Sequence, residues 1–527
     1  MIDLNIVSRQ LHATALGLTD IVLRPPREVR VTAERETIPA LADYLHDRFG
    51  GRPELILAED TRAGRSGFTL RYVFELECAD VFVVASAFVP QGDRAFPSLA
   101  TRSYLASRFE REILDLFGLV PVDHPDLRRL PLHQFWPPEY HPLLKDASPP
   151  DKFLDDGTPY PFRHVEGEGI HEITVGPVHA GIIEPGHFRF SVEGETIINL
   201  ESRLYFVHKG IEKLFENMTP DSGVELAERI SGDSSVAHSM AFCQGVESMA
   251  GVTIPPRAAY LRVVLLELER IYNHIADVGA ICGDTGFAFA NAHAMRLRED
   301  LLRLNERLVR HRLLRGALSP GGMRWDLSAF QVRDVRVTLA GVIADFDEVV
   351  EIAINNSSVL DRLHGTGQLT EQTARDMQVA GLAARASGID ADARRDHPFA
   401  AYGQLQIRVP VFNSGDVWAR LMLRVEETHE AFNLITRALD ALPEGDILEP
   451  IAILPAGACA FGLVEGWRGP IWHWVVAGES GLMSRVKIKD PSFANWPALN
   501  YAILKNIVPD FPLVNKSFNL SYAGNDL

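Results

Sequence analysis

The sequence predicts an α+β protein in two parts. A small N-terminal α+β domain spans residues 1–130, and a larger, mainly α-helical domain with a short N-terminal β-hairpin spans residues 167–527. A proline-rich linker, residues 131–166, joins them. Three observations carry this reading. Runs rich in Val, Phe and Tyr cluster in the first 130 residues. Prolines 131, 137, 138, 142, 149, 150, 159 and 161 exclude regular helix and central strand from the stretch that follows. Beyond it, apolar residues recur at three- and four-residue spacing over long segments.

In order, Ile38–Phe49 places Leu41, Leu45 and Phe49 on one helical face, and Phe68–Leu76 and Val81–Phe88 read as paired strands. Phe109–Gly118 reads as a short acidic helix closed by Gly118, followed by an extended segment, His124–Leu130. Phe135, Trp136 and Tyr140 of the linker are expected to bury against a neighbouring surface. Phe188–Val192 and Thr196–Leu200 form the predicted hairpin, turning at Glu193-Gly194. Glu228–Glu247 reads as a loop entering a helix. The helical body follows, over Tyr260–Val278, Ala294–Leu314, Asp334–Leu360, Glu371–Ala386 and Val417–Leu442. The second of these regions carries Arg296, Arg298, Arg303, Arg307, Arg310, Arg312 and, just beyond it, Arg315. That run reads as a solvated face, with docking to an acidic partner as the alternative.

Composition removes several classes. With 46% hydrophobic and 23% charged residues the chain is ordinary and globular. A net charge of −18 argues against nucleic-acid binding. Cys78, Cys243, Cys282 and Cys459 are far apart, so they read as buried free thiols, without metal-ribbon spacing or a disulfide framework. No signal peptide and no run of about 18 apolar residues is evident, which predicts a soluble, cytoplasmic chain. Gly365-Thr366-Gly367 lacks the third glycine and the preceding strand of a dinucleotide fingerprint, so it reads as a turn.

The chemistry-bearing stretches are Glu228–Glu247 with Arg229, Ser231-Gly232-Asp233-Ser234 and Ala237-His238-Ser239; Gly176-Pro177-Val178-His179 with Glu184-Pro185-Gly186-His187; Glu465-Gly466-Trp467-Arg468-Gly469; Val486-Lys487-Ile488-Lys489-Asp490-Pro491-Ser492-Phe493; and Ser521-Tyr522-Ala523-Gly524. Together they resemble the large subunits of membrane-bound, formate-hydrogenlyase-type nickel-iron hydrogenases and the D-type subunit of respiratory complex I. Phe109–Gly118 with His124–Leu130 resembles the C-type subunit of complex I, fused in front. In the hydrogenases Arg-x-Cys-x-x-Cys and Asp-Pro-Cys-x-x-Cys supply four metal thiolates. Here Ser231, Ser234, Ser521 and Gly524 stand at those positions.

The resemblance implies a subunit of a membrane-associated respiratory oxidoreductase complex, peripheral on the inner face of the cell membrane. Its implied partners are a small iron-sulfur subunit like the B-type one of complex I, and membrane subunits of the H-type and antiporter-like kinds. No metal and no cofactor is expected on this chain alone, since hydroxyls cannot replace soft thiolates; the iron-sulfur cluster would sit in the partner, and a quinone is the implied acceptor. Glu184, His187 and Arg468 take the catalytic places in this reading. His179, Asp233 and His238 line the acceptor cavity, although Gly232 stands where complex I has its quinone-binding tyrosine. Against these roles stand a turn-capping Glu184, an Arg468 ion-paired to Asp233, Glu184 or Glu465, and a hydrogen-bonded core His238. A catalytically silent scaffold is the other function the resemblance allows.

Overall fold

The computed structural model describes residues 3–77, 79–154, 157–179 and 183–527. It divides into two compact units: residues 1–163 with Asp376–Gln378, and the remainder from His164 onward. Secondary structure is mixed α+β, as expected.

In the first unit a five-stranded sheet runs in the order Thr19–Arg24, Glu28–Thr32, Phe82–Pro90, Gly67–Glu75, Arg52–Asp60. Within it, only the pairing of Glu28–Thr32 with Phe82–Pro90 is parallel. Helix Ile38–Phe49 buries Leu41, Leu45 and Phe49, as its spacing predicts. Helix Tyr104–Phe117 starts earlier than predicted, where Ser103 caps it by accepting from Ala106 N, and ends at left-handed Gly118.

The charges of that helix are buried rather than solvated. Asp115 Oδ2 accepts from Leu130 N at 2.8 Å and Leu132 N at 3.2 Å, and Arg111 Nε donates to Arg128 O at 2.7 Å. They satisfy the backbone of the extended segment, which has no sheet partner to do so. Glu110 is fully buried and accepts from Leu99 N and Ser98 Oγ; burial pushes its carboxyl up to about 7. The linker aromatics depart from expectation. Trp136 stacks on Tyr140 at 5.3 Å and meets Phe153 edge-on at 4.8 Å, so the rings pack on one another, and Phe135 stays 44% exposed.

The second unit opens with a three-stranded antiparallel sheet: the predicted hairpin, His187–Glu193 with Thr196–Arg203, joined by Ile170–Val175. Helix Pro256–Asp284 is its axis, packed between Ala288–Val309 and Val417–Asp440. Helix Ser235–Ala250 lies on a second antiparallel sheet, Cys459–Glu465, Pro470–Ala477 and Met483–Lys489. The approach is close: a Cβ on Gly462 would stand 1.9 Å from Ala241 O.

Two predicted helices are each a pair. Asn356 accepts from Ser358 N and Val359 N, starting Ser357–Leu363 after Ala329–Ile354 has ended. Gly381, at φ +65°, separates Glu371–Asp376 from Gly381–Ala386. Likewise Arg310 at φ 63° closes the helix at Val309, not Leu314. Cys243 and Cys282 are buried as expected, Cys459 is half-buried, and Cys78 lies outside the described residues.

Helix Pro256–Asp284 also carries a buried ionic network. Arg270 Nε donates to Glu267 at 3.0 Å, and Arg394 bridges Glu267 and Asp392. Arg385 joins Glu427 at 3.0 Å to Glu465 at 2.9 Å, while His274 Nε2 lies 2.9 Å from Glu427. Four carboxylates thus face three guanidiniums and one imidazole. With all of them ionised and His274 neutral the cluster would hold one uncompensated charge in a dry core, so one carboxyl keeps a proton or His274 gains one. Burial pushes Glu465 up to about 7. Among the described residues no helix is long and apolar enough to cross a membrane.

Candidate functional site

The Ser-Gly-Asp-Ser turn precedes helix Ser235–Ala250 and is held from outside. Asn273 Nδ2 and Trp467 Nε1 both donate to Asp233 O, at 2.8 and 3.0 Å. Ser234 does not cap the helix with its own side chain. Glu269 from the long helix does so instead, accepting from Val236 N at 2.7 Å and Ala237 N at 3.1 Å. Burial, outweighing those two bonds, pushes the Glu269 carboxyl up to about 8.

The turn meets the C-terminal segment. Ser231 Oγ lies 2.8 Å from Ser521 Oγ and donates to Asp233 Oδ1 at 2.8 Å. A carboxylate only accepts, so Ser231's single proton goes to Asp233 and Ser521 must donate to Ser231. Ser521 Oγ in turn accepts from Gly524 N at 2.8 Å, capping the short helix Tyr522–Asp526. The hydroxyls therefore form one oriented chain: Gly524 N–H, Ser521, Ser231, Asp233.

Arg468 closes the chain. Its Nη1 and Nη2 donate to the two oxygens of Asp233 at 2.8 and 2.6 Å, and its Nε donates to Asn519 O. The guanidinium also covers the Trp467 ring at 3.8 Å. Of the three acids proposed as its partner, Asp233 takes the role, while Glu465 pairs with Arg385. Burial raises the Asp233 pKa, but the Arg468 charge together with the hydrogen bonds from Arg468 and Ser231 holds the carboxyl below its usual value.

His238 is fully buried, with Nε2 3.1 Å from Asp490 Oδ2 and Nδ1 3.1 Å from His473 Nε2. With both rings neutral, His238 donates to Asp490 and accepts from His473, which leaves His473 Nδ1 unpartnered among the described residues. Burial holds His473 well below the ordinary histidine range.

The first loop reaches the same place. Exposed Glu184 accepts from Ala523 N at 2.9 Å through Oε2, bonding across to the C-terminal segment. His179 stacks on Phe188 at 5.8 Å and meets Tyr522 edge-on at 6.3 Å, with both ring nitrogens buried and unpartnered among the described residues. His187 Nδ1 is 3.4 Å from Gly176 O, turned back to its own loop. The structure thus joins Ser231, Asp233, Ser234, Arg468 and Ser521 by direct hydrogen bonds, with Glu184 and His179 at the C-terminal segment beside them. His473, Asn273 and Glu269 escaped the sequence reading. Asp490 lies in a stretch singled out there, and it starts its helix by accepting from Ser492 N just before Pro491.

Nickel and iron do not fit this donor set. Ser231 and Ser521 are committed to each other and to Asp233, and serine oxygens are hard ligands that stay protonated. At the fourth position, a Cβ on Gly524 would lie 2.6 Å from the Asp490 carboxylate.

A sheet-bearing first unit is thus followed by a helical unit whose separated loops close on one site, the architecture of a fused two-domain chain. Comparison agrees on both parts: residues 31–152 match the 30 Kd subunit of respiratory-chain NADH dehydrogenase, and residues 284–455 match its 49 Kd subunit. Hydrogenase-4 component G of Escherichia coli is 34% identical over 507 residues, covering 95% of this chain and 88% of that protein. Formate hydrogenlyase subunit 5 of the same organism is 33% identical over 507 residues, covering 95% and 89%. The C/D subunit of NADH-quinone oxidoreductase from Phocaeicola vulgatus is 32% identical over 404 residues, covering 72% and 77%. The chain belongs to this family of fused 30 Kd/49 Kd-type subunits, shared by complex I-like oxidoreductases and hydrogenases.

Proposed function

We propose that this chain is the subunit of a membrane-associated respiratory complex in which the family's former metal site receives electrons from a partner's iron-sulfur cluster and passes them to a quinone-like acceptor, without hydrogen chemistry. The observation that carries the reading is the hydroxyl chain from Gly524 to Asp233, ion-paired to Arg468, in the place of four thiolates. The chain would lie on the cytoplasmic face, held by a small B-type iron-sulfur subunit and by membrane subunits of the H-type and antiporter-like kinds. Electron flow in such a complex is coupled to ion translocation.

A quinone would supply the capacity to take up two electrons and two protons. This chain's residues would orient it and supply protons. His179 has two ring nitrogens unpartnered among the described residues and can donate to a carbonyl oxygen. Arg468 is held by Asp233 and offers a fixed dipole more than a bare charge. Glu184 and His187, on the same loop, are the proton carriers in this scheme. In the intact complex, Glu184→Gln and His179→Phe should each lower acceptor-linked electron transfer at least tenfold while leaving assembly intact; unchanged rates in both would overturn the acceptor role.

The scaffold reading is favoured by one observation: Arg468 and Asp233 satisfy each other completely enough to need no ligand. It gains the field if both substitutions leave electron transfer unchanged while the complex still assembles.

A further inference from the structure

Helix Ala329–Ile354 packs one side on Ala288–Val309 and Val417–Asp440, filling it with Val335, Leu339, Val342, Phe346 and Val349. The other side is open. There Phe330 is 78% exposed, Val337 67% and Ile352 40%. Ala340, Gly341 and Ala344 lie between them and are exposed too. At 3.6 residues per turn these six positions fall in one stripe about 120° wide. A lone exposed apolar side chain is ordinary, but a stripe along one helix marks a contact surface.

Nothing in the chain explains Gly341. A Cβ built on it meets nothing within 4 Å, in the middle of a long helix. Glycine is the poorest helix former after proline, so its place here calls for a close approach from outside the chain.

The charges of the helix divide in two. Asp334 pairs with Arg307 at 2.7 Å, Asp345 with Arg296 at 2.6 Å and Arg336 with Asp440 at 2.6 Å, while Asp347 Oδ1 lies 2.7 Å from His429 Nε2. Part of the arginine run is therefore engaged by its own chain. Arg333 and Glu348, exposed on the apolar stripe, have no side-chain partner among the described residues.

The stripe is self-complementary. Turned end for end about the point between Ala340 and Gly341, the helix sets Ala340 against Gly341, Val337 against Ala344 and Arg333 against Glu348. Each pairing then occurs twice about a two-fold axis, as an isologous contact requires. We propose that this face is the contact between two copies of the chain, paired through antiparallel Ala329–Ile354 helices that cross at Ala340-Gly341. The small side chains let the axes approach to about 8 Å at a shallow crossing of about 20°. The two Arg333–Glu348 pairs, about 11 Å to either side at 1.5 Å per residue, set the register and the antiparallel sense. A parallel pair would set like charges against each other. The contact is small, so association is weak, with a Kd on the order of 10 μM. This pairing is independent of whether an acceptor binds near the Ser231 turn; in an assembled complex the same face joins two assemblies.

Sedimentation velocity on the full chain, from about 1 to about 100 μM, reads the pairing. Wild type should move from monomer toward dimer across that range. Arg333→Glu and Glu348→Arg should each weaken association by about tenfold or more. An equimolar mixture of these two variants should restore it to within about threefold of wild type, because only the mixed dimer opposes unlike charges at both ends. Gly341→Leu fits the monomer, where its Cβ meets nothing, and should leave melting temperature unchanged or higher while abolishing the dimer. Arg336→Gln, whose partner lies in its own chain, should leave association unchanged. A wild type that stays monomeric at the highest concentration overturns the proposal. So does a mixture that stays monomeric, or a dimer indifferent to Gly341→Leu. If the purified complex holds a single copy and Arg333→Glu releases a different subunit, the face belongs to that subunit and the proposal falls.

Discussion

Ser231 Oγ and Ser521 Oγ stand 2.8 Å apart, and the direction of the proton between them is fixed by Asp233 beyond. The two hydroxyls are links of a hydrogen-bond chain that ends on an ion pair. The chain joins the turn before helix Ser235–Ala250 to the cap of helix Tyr522–Asp526, so its first role is mechanical. Ser521→Ala should cost about 1–2 kcal/mol, because Ser231 loses its donor and Gly524 N its cap. Chemical denaturation of the purified chain measures it.

Purified complex should carry no nickel above background and neither take up nor evolve hydrogen. Stoichiometric nickel by elemental analysis would contradict this. Placing cysteine at Ser231, Ser234, Ser521 and Gly524 should not build a nickel-iron centre, since Gly524→Cys drives its Cβ into Asp490. That substitution alone should destabilise by about 1–3 kcal/mol. Pairing it with Asp490→Ala should recover part of the loss in a double-mutant cycle.

Substituting Arg468 by Met leaves Asp233 without its two charge-assisted bonds and should cost about 2–3 kcal/mol. The pH dependence has a definite sign. Asp233 is held below its unfolded value, so the pair's contribution is full above the ordinary aspartate range and is lost as pH falls below it. Melting temperature against pH should therefore drop less steeply on the acid side in Arg468→Met than in wild type.

Glu269 gives the opposite slope. Its folded pKa of about 8 lies above the unfolded value, so the folded state binds the extra proton between roughly pH 4.3 and that value. Its contribution is full below the unfolded pKa and is lost as pH rises through the folded one. Glu269→Gln keeps an acceptor for the helix cap and should flatten the decline in melting temperature from about pH 5 to pH 8.

The ionic network sets a different scale. Arg385→Met would take the guanidinium shared by Glu427 and Glu465, both fully enclosed, leaving His274 and Arg270 on Glu427 and Ala393 N on Glu465, and should cost about 3 kcal/mol. Denaturant midpoint measures it, and Arg303→Met on the exposed ion pair is the control, expected within about 0.5 kcal/mol.

Much of the fold was legible because it rests on local pattern. Leu41, Leu45 and Phe49 repeat at helical spacing and are buried together. Asn356 and Gly381 interrupt helices whose apolar rhythm runs on through them, so the breaks could not be read from periodicity. At the site, Ser231 and Ser521 were placed by the frame of motifs around them, and Asp233 was one of three acids weighed as the partner of Arg468. His473 escaped notice because its link to His238 spans 235 residues and leaves no local trace. Glu465 is three residues from Arg468 in sequence, yet its strand turns it into the core toward Arg385.

The contact between Ser231 and Ser521 spans 290 residues, and that between Glu184 and Ala523 spans 339. During synthesis the hairpin, the long helices and the ionic core can all form while residue 521 is still inside the ribosome. The turn at Ser231 must wait, its Asp233–Arg468 pair assembled and one side uncovered, until the Ser521 segment arrives. Closure of so long a loop comes late and slowly. The interval would offer a nascent-chain chaperone or an assembly factor a distinct surface to recognise: a helical body that still lacks its last helices and whose site is open.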